Sequence, residues 1–298
     1  MRIIYLIILC TLISCGNRFQ LHNNNEKTPL CFLSKNKGKV AILDESFEAY
    51  FSKLQIREIE TFTQEKMLTN NLEEARNFAR IKFASAVIDF TPSEKKCISF
   101  VAQQVDQIMR EHNISLVANH PWKFIKIENW LCGGFAHTRG AYIIISQKHI
   151  DYLSKGWSDS MSEKERLTLI KRFGALLIHE KLHTLQREYK PIFDGLYKEK
   201  WGFVNAKVKD KAFVVKNQVS NPDAPIPEWI IPNEDNASLY YWIRTLLKPT
   251  DGIPKMGKDF IDIVFLVEGN NAEYTIQLDE ELRPVTMDMS EFLIYKKL

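Results

Sequence analysis

A chain of 298 residues, 45% hydrophobic and 26% charged, is long enough to bury a core and too apolar for intrinsic disorder. Its 40 basic and 37 acidic residues are interleaved and leave a net charge of only +3. No basic block threaded with aromatic residues marks a nucleic-acid groove, so the expected partners include no nucleic acid.

The first element in chain order is an export signal. In MRIIYLIILCTLISCGN, Arg2 precedes an apolar run from Ile3 to Ile13 that is too short to span a bilayer. Leu12-Ile13-Ser14-Cys15 resembles the bacterial lipoprotein box, in which a small residue precedes the cysteine that is lipidated and becomes the first residue of the mature chain. The resemblance implies a signal peptide over 1–15, lipidation at Cys15, and a lipid-anchored membrane protein of the bacterial cell envelope. Cys31, Cys97 and Cys132 then remain as widely spaced thiols, enough for one disulfide at most and without zinc-ribbon spacing.

Residues 16–40 are Asn/Lys-rich with no sustained apolar period and read as a tether, leaving 41–298 as one folded domain. Phe47, Tyr50, Phe51, Leu54 and Ile59 recur at helical spacing, which predicts a helix over 44–62, and a second is predicted over 71–87. The next helix start is better marked. Thr91 can cap, Pro92 takes the first helical position and Glu94 reaches back, after which Ile98, Val101, Val105 and Ile108 form a stripe.

After His120-Pro121 the period changes. WKFIKIEN (122–129) alternates and AYIIIS (141–146) is β-branched, which predicts two strands joined by a loop containing Gly133, Gly134 and Gly140. Ser162 and Glu165 then form a capping box for a helix over 163–188, whose middle is apolar nearly all round, as suits a buried helix. Beyond Pro191 a short helix and turn, a proline-rich surface segment over 221–235, a β-hairpin around Glu268-Gly269-Asn270-Asn271 and a last helical stretch follow. The fold class is α+β.

The chemistry sits on the helix of 163–188. His179 and His183 lie four apart, about 40° around the helix axis, so both imidazoles can point at one ion. Glu180 stands beside them as a carboxylate that can take a proton from an attacking water. His179-Glu180-Lys181-Leu182-His183 is the His-Glu-x-x-His motif, and this segment resembles the zincin metallopeptidases.

That resemblance implies a zincin-like fold with a helical N-terminal part, a small β-sheet, a long active-site helix, and a C-terminal β-hairpin and helix. It implies Zn2+ held by His179 and His183, Glu180 as general base, a peptide or protein substrate, and residues 141–146 near the sheet edge that lines the substrate cleft. A histidine six residues after His183 would mark the metzincins, but Tyr189 stands there. LLIHEKLHTLQR, LYKEKWGF and NPDAP together resemble a gluzincin-like group of peptidases. The third zinc ligand, a glutamate in that group, stays open between Glu234, Asp223, Glu291 and a residue the chain does not reach, with Glu199 read as solvated. His137, in the glycine-rich loop, is either an oxyanion-stabilising neighbour of the site or a solvated loop histidine. Gln186 is either an outer partner of the metal ligands or solvated, and Arg187 and Glu188 read as surface. A non-catalytic lipoprotein that keeps this scaffold to bind a metal or a protein partner is the alternative reading.

Overall fold

The computed structural model describes residues 28–209, 212–220, 229–270 and 273–295. In chain order the first elements are β1 (Leu30–Phe32), α1 (Lys35–Ala41), a 3-10 turn (Phe51–Lys53), α2 (Ile56–Thr63), α3 (Leu72–Ser85), β2 (Val87–Ile88), α4 (Pro92–Glu111) and α5 (Ser115–Asn119). Then come β3 (Trp122–Ile127), β4 (His137–Arg139), β5 (Tyr142–Ser146), α6 (Gln147–Leu153), α7 (Glu163–Glu188) and α8 (Lys190–Gly195). The rest comprises β6 (Val204–Asn205), β7 (Val208–Lys209), α9 (Ala212–Asn217), β8 (Trp229–Pro232), β9 (Leu239–Leu247), β10 (Phe260–Asn270), β11 (Glu273–Ile276), β12 (Thr286–Asp288) and α10 (Met289–Tyr295). The mixed α+β class expected from the sequence holds. No helix among the described residues is long and apolar enough to cross a membrane.

The chain divides into two compact units, one of residues up to Phe47 with Lys82–Glu188, the other of Glu48–Ile81 with Tyr189–Leu298. The first is a layered α/β arrangement. Its sheet runs β1-β3-β5-β4, with β2 also paired to β3. β1 and β5 flank β3 in parallel, while β4 is antiparallel to β5 and forms the edge. One face of β3 meets α4, where Trp122 Nε1 donates to Asp106 and Lys126 Nζ pairs with Glu94. The other face meets α1, where a Cβ on Gly38 would stand 3.5 Å from Ile125 Cγ2.

Local chemistry explains the helix starts. Thr91 Oγ1 accepts from the Glu94 N–H while Glu94 Oε2 accepts from the Thr91 N–H, the reciprocal cap that stabilises α4 by about 1 kcal/mol. Ser162 and Glu165 repeat that exchange ahead of α7. Leu169, Phe173, Leu177 and Leu185 of α7 are buried, each contributing about 1.5–3 kcal/mol of apolar transfer.

Two expectations need correction. Residues 30–40, assigned to the tether, hold β1 and nearly all of α1, because β1 finds its hydrogen-bond partner in β3, about ninety positions downstream; residues 16–27 lie outside the described residues. The helix expected over 44–62 is broken, since Leu54 and Gln55 are extended and only 56–63 is α-helical. Its apolar spacing is still meaningful: Tyr50, Phe51 and Leu54 are buried through the 3-10 turn rather than a long helix. Residues 141–146, expected near the sheet edge, hold β5, one strand in from edge strand β4. That edge follows a tight turn at Cys132, Gly133 and Gly134, with left-handed φ of 50°, 62° and 72°, a conformation that favours glycine and finds it at two of the three positions.

The second unit is built on a largely antiparallel sheet in the order β6-β8-β9-β10-β11-β7, with β12 on β10. One face packs Val214, Ile230, Trp242, Phe265, Val267 and Ile276, and the other packs Tyr241, Val264 and Phe292. The expected hairpin is β10 with β11, its turn residues 271 and 272 lying outside the described residues. Residues 221–228 of the proline-rich segment also lie outside, and its residues 229–232 form β8, followed by a turn.

Candidate metal centre

Helix α7 brings the two expected ligands together. The Nε2 atoms of His179 and His183 are 3.3 Å apart, with ring centroids at 4.8 Å and planes at 87°. Two imidazoles bound to one tetrahedral zinc at about 2.05 Å would hold their nitrogens about 3.3–3.4 Å apart. The observed separation therefore matches two corners of such a site, and without an ion it equally serves an Nε2–H···Nε2 hydrogen bond.

The outer partners orient His183. Its Nδ1–H donates to Gln186 Oε1 at 2.9 Å, which leaves Nε2 as the bare nitrogen facing His179. Burial, then the Arg187 charge, holds the imidazole down at about 3, against the opposing pull of the Gln186 hydrogen bond. The ring is thus uncharged at neutral pH and its lone pair needs no deprotonation before it binds a cation. His179 is half-buried, and Glu180, next to it, is only 2% exposed.

Arg187 corrects its surface assignment. It is half-buried, donates to Thr138 Oγ1 on the edge strand, and its Nη1 lies 3.3 Å from the His183 carbonyl oxygen. One guanidinium thus ties α7 to β4. No sequence signal marked Thr138, because a three-residue strand between glycines carries no periodicity.

His137 is buried rather than solvated, and it does not face α7. It pairs directly with Ile144, whereas Thr138 pairs with Ile143, so the alternation of a strand puts His137 on the face opposite Thr138 and Arg187. Its Nδ1 bonds the Phe135 carbonyl instead. An oxyanion role beside the histidine pair is accordingly not supported. Glu234 is an exposed residue of the turn after β8, Glu199 is exposed in the π-helical turn Leu196–Lys200, and Glu291 is exposed on α10. All three belong to the second unit. Cys15 and Asp223 lie outside the described residues. Among the described residues, no group of three or more His, Cys, Asp or Glu side chains gathers to hold a metal ion. Cys31 is exposed, and Cys97 and Cys132 are buried.

No protein-family model, curated protein or solved structure matches the chain. Its functional reading rests on these residues and their geometry.

Proposed function

We propose that the chain is a zinc-dependent metallopeptidase of the bacterial cell envelope, lipid-anchored through Cys15, that hydrolyses peptide bonds. The observation that carries this reading is the convergence of His179 Nε2 and His183 Nε2 at a zinc-like separation, with Glu180 buried beside them. The pair fits two of the three protein positions a catalytic zinc takes, and the third ligand has no counterpart among the described residues.

When bound, zinc supplies Lewis-acid chemistry, polarising a carbonyl and making water a stronger acid. The chain's own residues do the rest. Gln186 Oε1 keeps the proton of His183 on Nδ1, so the lone pair stays on Nε2. Glu180 takes the proton of the attacking water on its carboxylate and returns it to the leaving amine, which balances the hydrolysis. Arg187 holds the helix end to the edge strand through Thr138.

The lack of a third ligand among the described residues favours the alternative, a non-catalytic lipoprotein that uses this scaffold to bind a metal or a protein partner. Metal content and casein hydrolysis of the full chain, beside its Glu180→Gln variant, separate the two readings. The peptidase reading expects zinc in both and activity only in the parent. Zinc in both with activity in neither supports the alternative, and chelator-insensitive hydrolysis contradicts the peptidase reading.

A further inference from the structure

At about 100° per residue, the bisector of His179 and His183 points about 180° away from Lys181, so the metal face and Lys181 lie on opposite sides of α7. Lys181 is completely buried, and its Nζ donates to Asp106 Oδ1 of α4 at 2.7 Å. The other carboxylate oxygen of Asp106 accepts from Trp122 Nε1 of β3 at 2.8 Å, and the ammonium stands 4.0 Å above the Trp122 ring. One turn further, the Thr184 hydroxyl donates to the Lys181 carbonyl at 2.8 Å. Its single proton is thereby used, so His120 Nε2–H is the donor in their 2.9 Å bond. Seven residues before Lys181 and on the same face, Gly174 lets α4 approach, since a Cβ there would stand 3.1 Å from Val105 Cγ2.

Apolar packing alone specifies a helix's rotation weakly, because hydrophobic surfaces of similar volume are interchangeable. A buried ion pair adds little stability over an apolar substitute, yet it is satisfied in one orientation only. A turn of about 20° would carry side chains at the helix surface about 2 Å sideways, enough to part Arg187 from Thr138.

We propose that Asp106, Lys181 and Trp122 are positioning residues that set the rotation of α7 against the sheet, so that the histidine face and Arg187 are presented to edge strand β4. Its functional meaning rests on the zinc reading of the pair, but its geometry does not. The cluster lies on the side of the helix opposite the imidazoles.

The test uses the full chain in detergent. Asp106→Asn with Lys181→Met keeps side-chain volume and an acceptor for Trp122 while removing the cross-helix bond; Asp106→Asn with Lys181→Gln restores that bond between neutral partners. The readouts are thermal melting, the Arg187 guanidinium N–H signals by NMR, and zinc affinity. The Met variant should melt within a few degrees of the parent, lose the Thr138-bonded Arg187 signals and bind zinc at least about tenfold more weakly, whereas the Gln variant should resemble the parent. Unchanged Arg187 signals in a folded Met variant overturn the proposal, as does a Gln variant that behaves like the Met variant. Failure of the Met variant to fold also overturns it, by making the pair a stability element. A parent that takes up no zinc sinks the zinc reading, and the Arg187 signals still decide the positioning.

Discussion

Replacing Gln186 by Leu removes the acceptor for His183 Nδ1–H. The bond is 2.9 Å long and His183 is buried, so the unmet N–H carries a penalty of about 1–3 kcal/mol. The ring can escape it by moving its proton to Nε2, but that removes the lone pair aimed at His179. Either route weakens zinc binding, by about 10–100-fold, or about 1.4–2.7 kcal/mol. Gln186→Glu keeps an acceptor, and a stronger one, so it should hold or raise the affinity. Competition against a chromophoric chelator measures all three proteins, with thermal melting to show that each is folded. Equal affinity of the Leu variant and the parent would refute the assignment of Gln186 as the group that fixes the tautomer.

Two other predictions concern stability. Glu58 of α2 is fully buried, accepting from Ser220 N–H and Oγ and from Gln55 N–H, and burial raises its carboxyl to about 8 despite those bonds and the Arg244 charge. A raised acid stabilises fully below the ordinary value of 4.5 and loses that contribution as pH climbs through about 8, a window worth about 5 kcal/mol at about 1.4 kcal/mol per pH unit. Urea unfolding of the parent should therefore need less denaturant at pH 8.5 than at pH 5, and Glu58→Gln should flatten that difference; an equal slope in both proteins counts against the argument. Gly174→Val forces two methyl groups toward Val101 and Val105, already 3.9 and 3.1 Å from an added Cβ, and should destabilise by about 1–3 kcal/mol in chemical denaturation. A neutral result would mean that α4 yields freely.

What the sequence made legible was local chemistry. The capping boxes at Thr91 and Ser162, the β-branched runs of β3 and β5, and the four-residue histidine spacing all act within a few positions, so short windows reveal them. What escaped depended on distant partners. β1 is a strand only because β3 accepts it, β4 because β5 pairs with it, and Lys181 is anchored by Asp106, 75 positions away. His137 shows the same limit: its glycine-rich neighbourhood suggested an open loop, but strand register decided its face. The break before α2 was hidden because a 3-10 turn buries Tyr50, Phe51 and Leu54 much as a helix would.

The most direct measurement is calorimetric titration of zinc into the metal-stripped full chain, beside a His179→Ala/His183→Ala variant. One zinc bound per chain by the parent, and none by the variant at the same concentrations, is the predicted result. Absence of binding by the parent, or equal uptake by the variant, would contradict a metal centre on α7.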